Sequence, residues 1–306
     1  MNYGNILTKA WKTVWKHKVI FWFGMLMAIP SALMGIIMAG MFYSFSEEKL
    51  ISFFEGNSTE PDAFLLFFIL FFVSMILFTI LSYATMALSF AGALKGTFEL
   101  KDKEITISFR ELWEASLPFV WRVFGIMAII FIGIFSFFAV IMFLGAIFGA
   151  VTAGIGFICL MPLILLIIPL ELLAFLFASI AMAVVVAEDI GVFDAMRKAK
   201  NLLKQNFWPL ILIGIIVGFI LWAVNMVAML PLQVAQFAFM MPMMSDPYMQ
   251  DPTAFFRPFS ILMAIMMPLI EIVQGLSLAY ANAVWIFSYF DITAKSENKE
   301  EVIEYV

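Results

Sequence analysis

Glu171 and Glu271 lie inside long apolar stretches, and they are the residues in which intramembrane chemistry could be lodged. Each follows a proline closely, Pro169 two residues before and Pro268 three before. A charged acid at a bilayer centre costs ~2.5–3.5 kcal/mol on insertion scales, so such residues usually face a bundle interior or a water-filled cavity. No Lys, Arg or His shares these stretches, and desolvation together with a nearby like charge would keep at least one carboxyl protonated. Facing each other and sharing a proton, the two would form a proton or cation site. Asn225, Gln274 and Tyr280 would be its polar neighbours, and a proline-freed carbonyl an added ligand. The same residues also read as glue, each neutral Glu hydrogen-bonding across helices to Gln274, Asn225, Asn282 or Tyr280. The sequence leaves both readings open.

Basic clusters offer a second chemistry. Lys12 and Lys16 near the N-terminus, and Arg197, Lys198, Lys200 and Lys204 further on, could hold anionic headgroups or a partner, each cation near an anionic leaflet being worth ~1 kcal/mol. The same charges also serve to orient the chain in the membrane. Metal and cofactor chemistry find little support: one His (His17) and one Cys (Cys159) cannot supply the several ligands that zinc, haem or iron–sulfur sites need. The methionines from Met240 to Met249 would suit Cu(I), but Met is also a common filler of apolar surface, and no metal is assigned. Neither a phosphate-binding G-x-x-x-x-G-K-[ST] loop, nor H-E-x-x-H, nor G-x-S-x-G occurs. No cofactor and no catalytic residue is therefore expected.

The elements that must position these residues are membrane spans. Of 306 residues, 64% are apolar and 13% charged, against about 45–50% and 25% in soluble domains. The 65 residues from Val123 to Ala187 carry one charge, Glu171, and the 32 from Ala63 to Leu94 carry none. Such runs exceed the ~20 apolar residues that cross a bilayer. This composition excludes a soluble enzyme, a nucleic-acid binder and a disulfide-stapled secreted domain. Six spans are predicted, near residues 19–43, 63–94, 123–148, 156–187, 207–232 and 258–290, with a tight turn expected through Gly145, Gly149, Gly154 and Gly156. Fifteen of the 17 Lys and Arg fall on one side of this arrangement, leaving only Lys49 and Arg257 on the other. Both termini are therefore expected in the cytoplasm.

The expected fold is all-α, a single membrane domain of three transmembrane hairpins, with a short acidic tail at 293–306. Each hairpin is preceded by an amphipathic segment lying in the interface on the cytoplasmic side: Ile6–Lys18, Phe109–Arg122 and Val192–Trp208. The even-numbered spans end alike, in SYATMA (82–87), ASIAMA (178–183) and LAYANA (278–283). Those likenesses suggest three repeated units, 1–95, 105–189 and 190–292.

The stretches WKTVWKHKVIFWFG (11–24), VVVAEDIGVFDAMRKAKNLLKQNFWP (184–209) and FSYFDI (287–292) resemble stand-alone relatives of the membrane domain attached to some bacterial glycerophosphoryl diester phosphodiesterases. The resemblance runs over nearly the whole chain and implies a six-span helical membrane protein. Only 16 residues follow the last expected span, so the hydrolase activity of the fused proteins is not expected here. Two functions follow as expectations. The first is a non-enzymatic protein of the cell membrane with a lipid-interacting or scaffolding role, its partners membrane lipids and a cytoplasmic or membrane protein, with no nucleic acid. The second is a small-solute or ion transporter, proton-coupled through Glu171 and Glu271.

Overall fold

The computed structural model describes residues 1–44, 61–101, 103, 106–152, 167–245 and 253–304. Asn57-Ser58-Thr59, which matches the N-x-[ST] glycosylation pattern, the glycine turn beyond Thr152, Cys159 and Asp246–Gln250 of the methionine segment lie outside them. For the acidic tail, side chains beyond Ala294 also lie outside.

The described residues form α1 (Tyr3–Lys16), α2 (Val19–Met25), α3 (Ala28–Ser44), α4 (Pro61–Leu100), α5 (Phe109–Val151), α6 (Ile167–Glu188), α7 (Val192–Gln205), α8 (Phe207–Ser245) and α9 (Thr253–Glu304). Six segments are long and apolar enough to cross a membrane: Val19–Met41, Phe68–Leu100, Phe109–Val151, Pro169–Glu188, Phe207–Ala238 and Ser260–Ala294. The protein is a multi-pass helical membrane protein.

Local chemistry explains the breaks. Pro30 supplies no N–H to the carbonyl of Leu26 and its ring crowds it, so α2 stops at Met25 and the chain passes through 3₁₀-like bonds, Leu26 N–H to Phe23 at 3.2 Å and Met27 N–H to Gly24 at 3.3 Å. Pro209 acts likewise on Gln205, where α7 ends. The segment Phe109–Arg122 was expected as a separate helix. It is instead the opening of α5, continuous with the third span through Pro118. Ser108 starts it with a capping box, its side chain and that of Glu111 each satisfying the other's backbone N–H. Between Arg122 and the apolar residues that follow stands no proline or capping side chain to stop it. Gly145 and Gly149 are buried within α5 and form no turn.

Two compact units are distinguished. The first comprises Met1–Ile20, Phe90–Phe219 and Tyr280–Val306. Its core is the run Ser179–Val186 of α6 and Tyr280–Tyr289 of α9, each buried on all faces, as expected of a helix wholly surrounded by others. Small residues let the helices approach: ASIAMA and LAYANA fall almost entirely in these buried runs, whereas SYATMA of α4 is mostly half-buried. Phe175 meets Trp285 edge-on at 6.0 Å, and Phe98 of α4 stacks on Phe290 at 5.9 Å. A Cβ at Gly214 would overlap the Leu176 side chain, while Gly218, at the spacing that favours close approach, faces open space.

The second unit comprises Phe21–Ser89 and Ile220–Ala279. Within it Gly24 of α2 and Gly275 of α9 touch backbone to backbone, a Cβ on either one overlapping the other's carbonyl. Gly35 and Ala264 repeat this less tightly, a Cβ on Gly35 falling 2.7 Å from the Ala264 Cα. Ser89 Oγ donates to the Phe23 carbonyl at 2.7 Å, a second partner for the acceptor that the Leu26 N–H reaches at 3.2 Å.

Candidate functional site: a cationic trough in the first unit

Helix α1 shows how the site is built. At about 3.6 residues per turn, Ile6, Ala10, Thr13 and Val14 share one face and are buried. Lys9, Lys12 and Lys16 share a second and Trp11 and Trp15 a third, all exposed. The two indoles stack at 5.3 Å. Helix α7 repeats the plan: Ala195, Ala199 and Leu202 are buried, while Phe193 is 75% exposed on the side that also carries Lys200 and Lys204. Phe193 therefore lies outside the protein core. Trp121 and Trp208 are exposed to 77% and 76%, where membrane-interface aromatics would sit.

Between these faces run three clefts that share residues. One of about 300 Å³ lies among Lys9, Lys12, Lys16, His17, Lys101 and Lys103. The second, about 490 Å³, is lined by Lys9, Lys101 and Lys198 with Glu188, Tyr289 and Thr293. A third of about 510 Å³ holds Asp194, Arg197, Lys198, Asn201 and Thr293. Lys9 and Lys101 join the first to the second, and Lys198 and Thr293 the second to the third, so they form one trough. Among the described residues its walls hold seven Lys and Arg side chains and two carboxylates, Glu188 and Asp194.

The middle of the trough is fixed by an ionic junction. Glu188, the last residue of α6, accepts from the Tyr289 hydroxyl of α9 and pairs with Lys198 of α7 at 2.6 Å. Asp189 then turns the chain with φ of 53°, the left-handed conformation that ends many helices. Arg122 of α5 pairs with the Asp189 carboxylate and reaches the Ile190 carbonyl, holding that turn in place. Lys101 rests on the Phe290 ring, 3.1 Å from its centroid.

His17 is buried at the end of α1, and that burial, reinforced by the Lys16 charge, holds its imidazole below the ordinary histidine range against the upward pull of a hydrogen bond with the Lys103 backbone. A depressed folded-state value means that the neutral form is favoured by folding. The stabilisation is therefore present above the ordinary histidine pKa and lost as pH falls through the folded value. Thermal unfolding in micelles should show a midpoint that drops as pH is taken from neutral into the acid range, with a flatter profile for His17→Gln. Identical profiles for the two proteins would overturn this assignment.

The residues singled out by sequence divide as follows. Lys12, Lys16, Arg197 and Lys198 line the trough, whereas Lys200 and Lys204 are exposed beside it. Glu171, Tyr280 and Asn282 belong to the first unit, and Asn225, Glu271 and Gln274 to the second. Glu171 is exposed and Glu271 half-buried. Tyr280 packs edge-on against Trp11 at 5.9 Å. Asn282 is 1% exposed with its Nδ2 unbonded, and the Asn225 Oδ1 is likewise buried without a partner. Sequence reasoning passed over Lys9, Lys101, Glu188 and Tyr289. Glu188 and Tyr289 do stand inside AEDIG and FSYFDI, where an acid ends a long apolar run and a tyrosine interrupts one. Compared with protein-family models, with curated proteins and with solved structures, the chain matches none.

Proposed function

We propose that this multi-pass protein is a non-enzymatic component of the cell membrane whose basic end holds anionic lipid headgroups, as a lipid-interacting scaffold. The observation that carries the reading is the trough, with seven cationic side chains and two carboxylates among the described residues, in a unit that also exposes four tryptophans. The imbalance of Lys and Arg puts that end, and both termini, in the cytoplasm, where anionic lipids give the leaflet its negative potential. The three-hairpin plan and the likeness to the phosphodiesterase-linked membrane domain accord with a membrane scaffold. Exposed Trp11, Trp15, Trp121 and Trp208 would set the depth of the protein in the headgroup layer.

The test is lipid retention. Full-length protein purified from its membrane and released in a native mass spectrometer should carry anionic lipids in excess over zwitterionic ones, and Lys200→Glu combined with Lys204→Glu should reduce that excess severalfold. Glu171→Gln with Glu271→Gln should leave it unchanged. No anionic excess in the parent protein, or an excess that survives the double charge reversal and falls with the double Gln variant, would overturn the reading in favour of the intramembrane acids.

A further inference from the structure

We propose that the acidic stretch of this chain beyond Ala294, with Glu297, Glu300, Glu301 and Glu304, is an intramolecular occupant of the trough and competes there with anionic headgroups. The inference adds regulation to the lipid-contact reading, on which it rests: the basic end engages a leaflet only where anionic lipid is dense enough to displace the tail.

Position comes first. Thr293 of α9 lines both the middle and the third cleft, and Ala294 lines the middle one. These are the last residues of α9 whose side chains are described, so the acidic stretch sets out from the wall of the trough. The helix itself runs on through Glu304. At about 3.6 residues per turn, positions 297, 300, 301 and 304 all fall within about a quarter turn of Thr293, in line with Tyr289 on the side that lines the middle cleft. Lys295 and Lys299 fall on the opposite side. The spacing thus gathers the four acids of the tail toward the trough and turns both of its lysines away.

Reach and charge agree with that placement. At about 1.5 Å per residue, position 297 stands about 6 Å and position 300 about 10 Å along α9 from Thr293, distances that long cationic side chains can span. Arg197, on the α7 wall of the third cleft, pairs with Asp194 at 3.6 Å while remaining 78% exposed, and a guanidinium, with its five donors, can take a second carboxylate. Lys9, on the α1 wall of the middle cleft, is exposed as well. Pairs of this kind are weak singly and screened by salt, which suits an occupant that has to be displaced. Tethering compensates, because a segment continuing directly from the cleft wall meets these cations at high effective concentration. A leaflet overcomes that advantage by presenting many anionic headgroups at once.

The experiment places full-length protein in phosphatidylcholine nanodiscs with rising fractions of phosphatidylglycerol and reads retained lipid by native mass spectrometry. Glu297→Gln, Glu300→Gln, Glu301→Gln and Glu304→Gln combined should raise phosphatidylglycerol retention about three- to tenfold at low fractions, the joint effect of a few exposed ion pairs. At high fractions the gain should vanish. Net charge alone would do part of this, so a second variant keeps the composition and exchanges the sides: Lys295→Glu and Lys299→Glu with Glu297→Lys and Glu300→Lys. It should also raise retention, whereas Glu114→Gln, at a 63% exposed acid of α5, should not. Tail position is read separately, as the distance between spin labels at Thr8→Cys on α1 and Asn298→Cys, with Cys159→Ser removing the native thiol. The distribution should be narrow in pure phosphatidylcholine and broaden with phosphatidylglycerol or high salt, because a helix end without contacts frays. Retention in the side-exchanged variant equal to wild type, or a label distance indifferent to phosphatidylglycerol, overturns the proposal. If the anionic excess persists in that case, the competition alone fails; an excess missing from wild type and from every tail variant removes the lipid reading and the competition together.

Discussion

Gly24→Ala and Gly275→Ala are each expected to destabilise the folded protein by about 2–3 kcal/mol, the range seen when a group is forced into packed space. The added methyl would meet a carbonyl group of the opposing backbone, which cannot rotate away as a flexible side chain could. Relief requires α2 and α9 to separate, and in lipid there is no water-driven force to draw helices back together, only the packing that the separation removes. The two substitutions act on one contact, so the double variant should cost well below the sum of the singles. Gly133→Ala and Gly218→Ala supply controls, since neither added Cβ has an atom within 4 Å. Both should be neutral or stabilising by up to ~1 kcal/mol through the lower backbone entropy of alanine. Denaturation of micellar protein by increasing fractions of a harsh detergent measures all five. Costs at Gly24 and Gly275 no greater than at the controls would show that the crossing is not close.

The contrast between those glycines and the ones that sequence spacing favours shows what could be read from the chain. In Gly145/Gly149 and Gly214/Gly218 four-residue spacing places two small residues on one helix face, and three of the four are buried or packed. Gly24 and Gly275 carry only the Gly-xxx-Ala form of that signature, with Ala28 and Ala279, and nothing local says that the two meet, because their partnership joins helices some 250 positions apart. Spans were legible for the converse reason: hydropathy is a local property, and each of the six predicted segments overlaps one of the six observed among the described residues. Helices over α1 and α7 were legible from amphipathic spacing, though α7 ends at Gln205, short of the expected Trp208. Whether Phe109–Arg122 stood apart depended on a breaker that is missing, and an absence is weaker evidence than a proline. The trough divides in the same way. Its basic elbows could be seen, but nothing in the sequence joins residues 9, 101 and 198. The conspicuous intramembrane acids, by comparison, were placed in different units.

Glu188→Ala is expected to be the most damaging single substitution at the trough, at about 2–4 kcal/mol, because it strands a buried donor. Tyr289 is 6% exposed and its hydroxyl donates to this carboxylate; a buried polar group without its partner costs ~1–3 kcal/mol, and a bond to a charged acceptor is worth somewhat more than a neutral one. Tyr289→Phe removes donor and bond together, and Glu188 keeps Lys198 and some contact with solvent, so ~1–2 kcal/mol is expected. Lys198→Ala should cost less than ~1 kcal/mol, because its side chain is 44% exposed and such ion pairs contribute little. The order Glu188 above Tyr289 above Lys198 is the signature of a carboxylate that serves mainly to satisfy a buried hydroxyl. Glu188→Gln should fall between Glu188→Ala and wild type, since its amide oxygen can still accept from Tyr289 while the ion pair is lost. In a double-mutant cycle, Glu188→Ala made on a Tyr289→Phe background should lose most of its cost. Thermal and detergent unfolding of the set decides it: additive effects at Glu188 and Tyr289, or a larger cost at Lys198 than at Tyr289, would mean that α6, α7 and α9 are held by charge pairing instead of by the buried hydrogen bond.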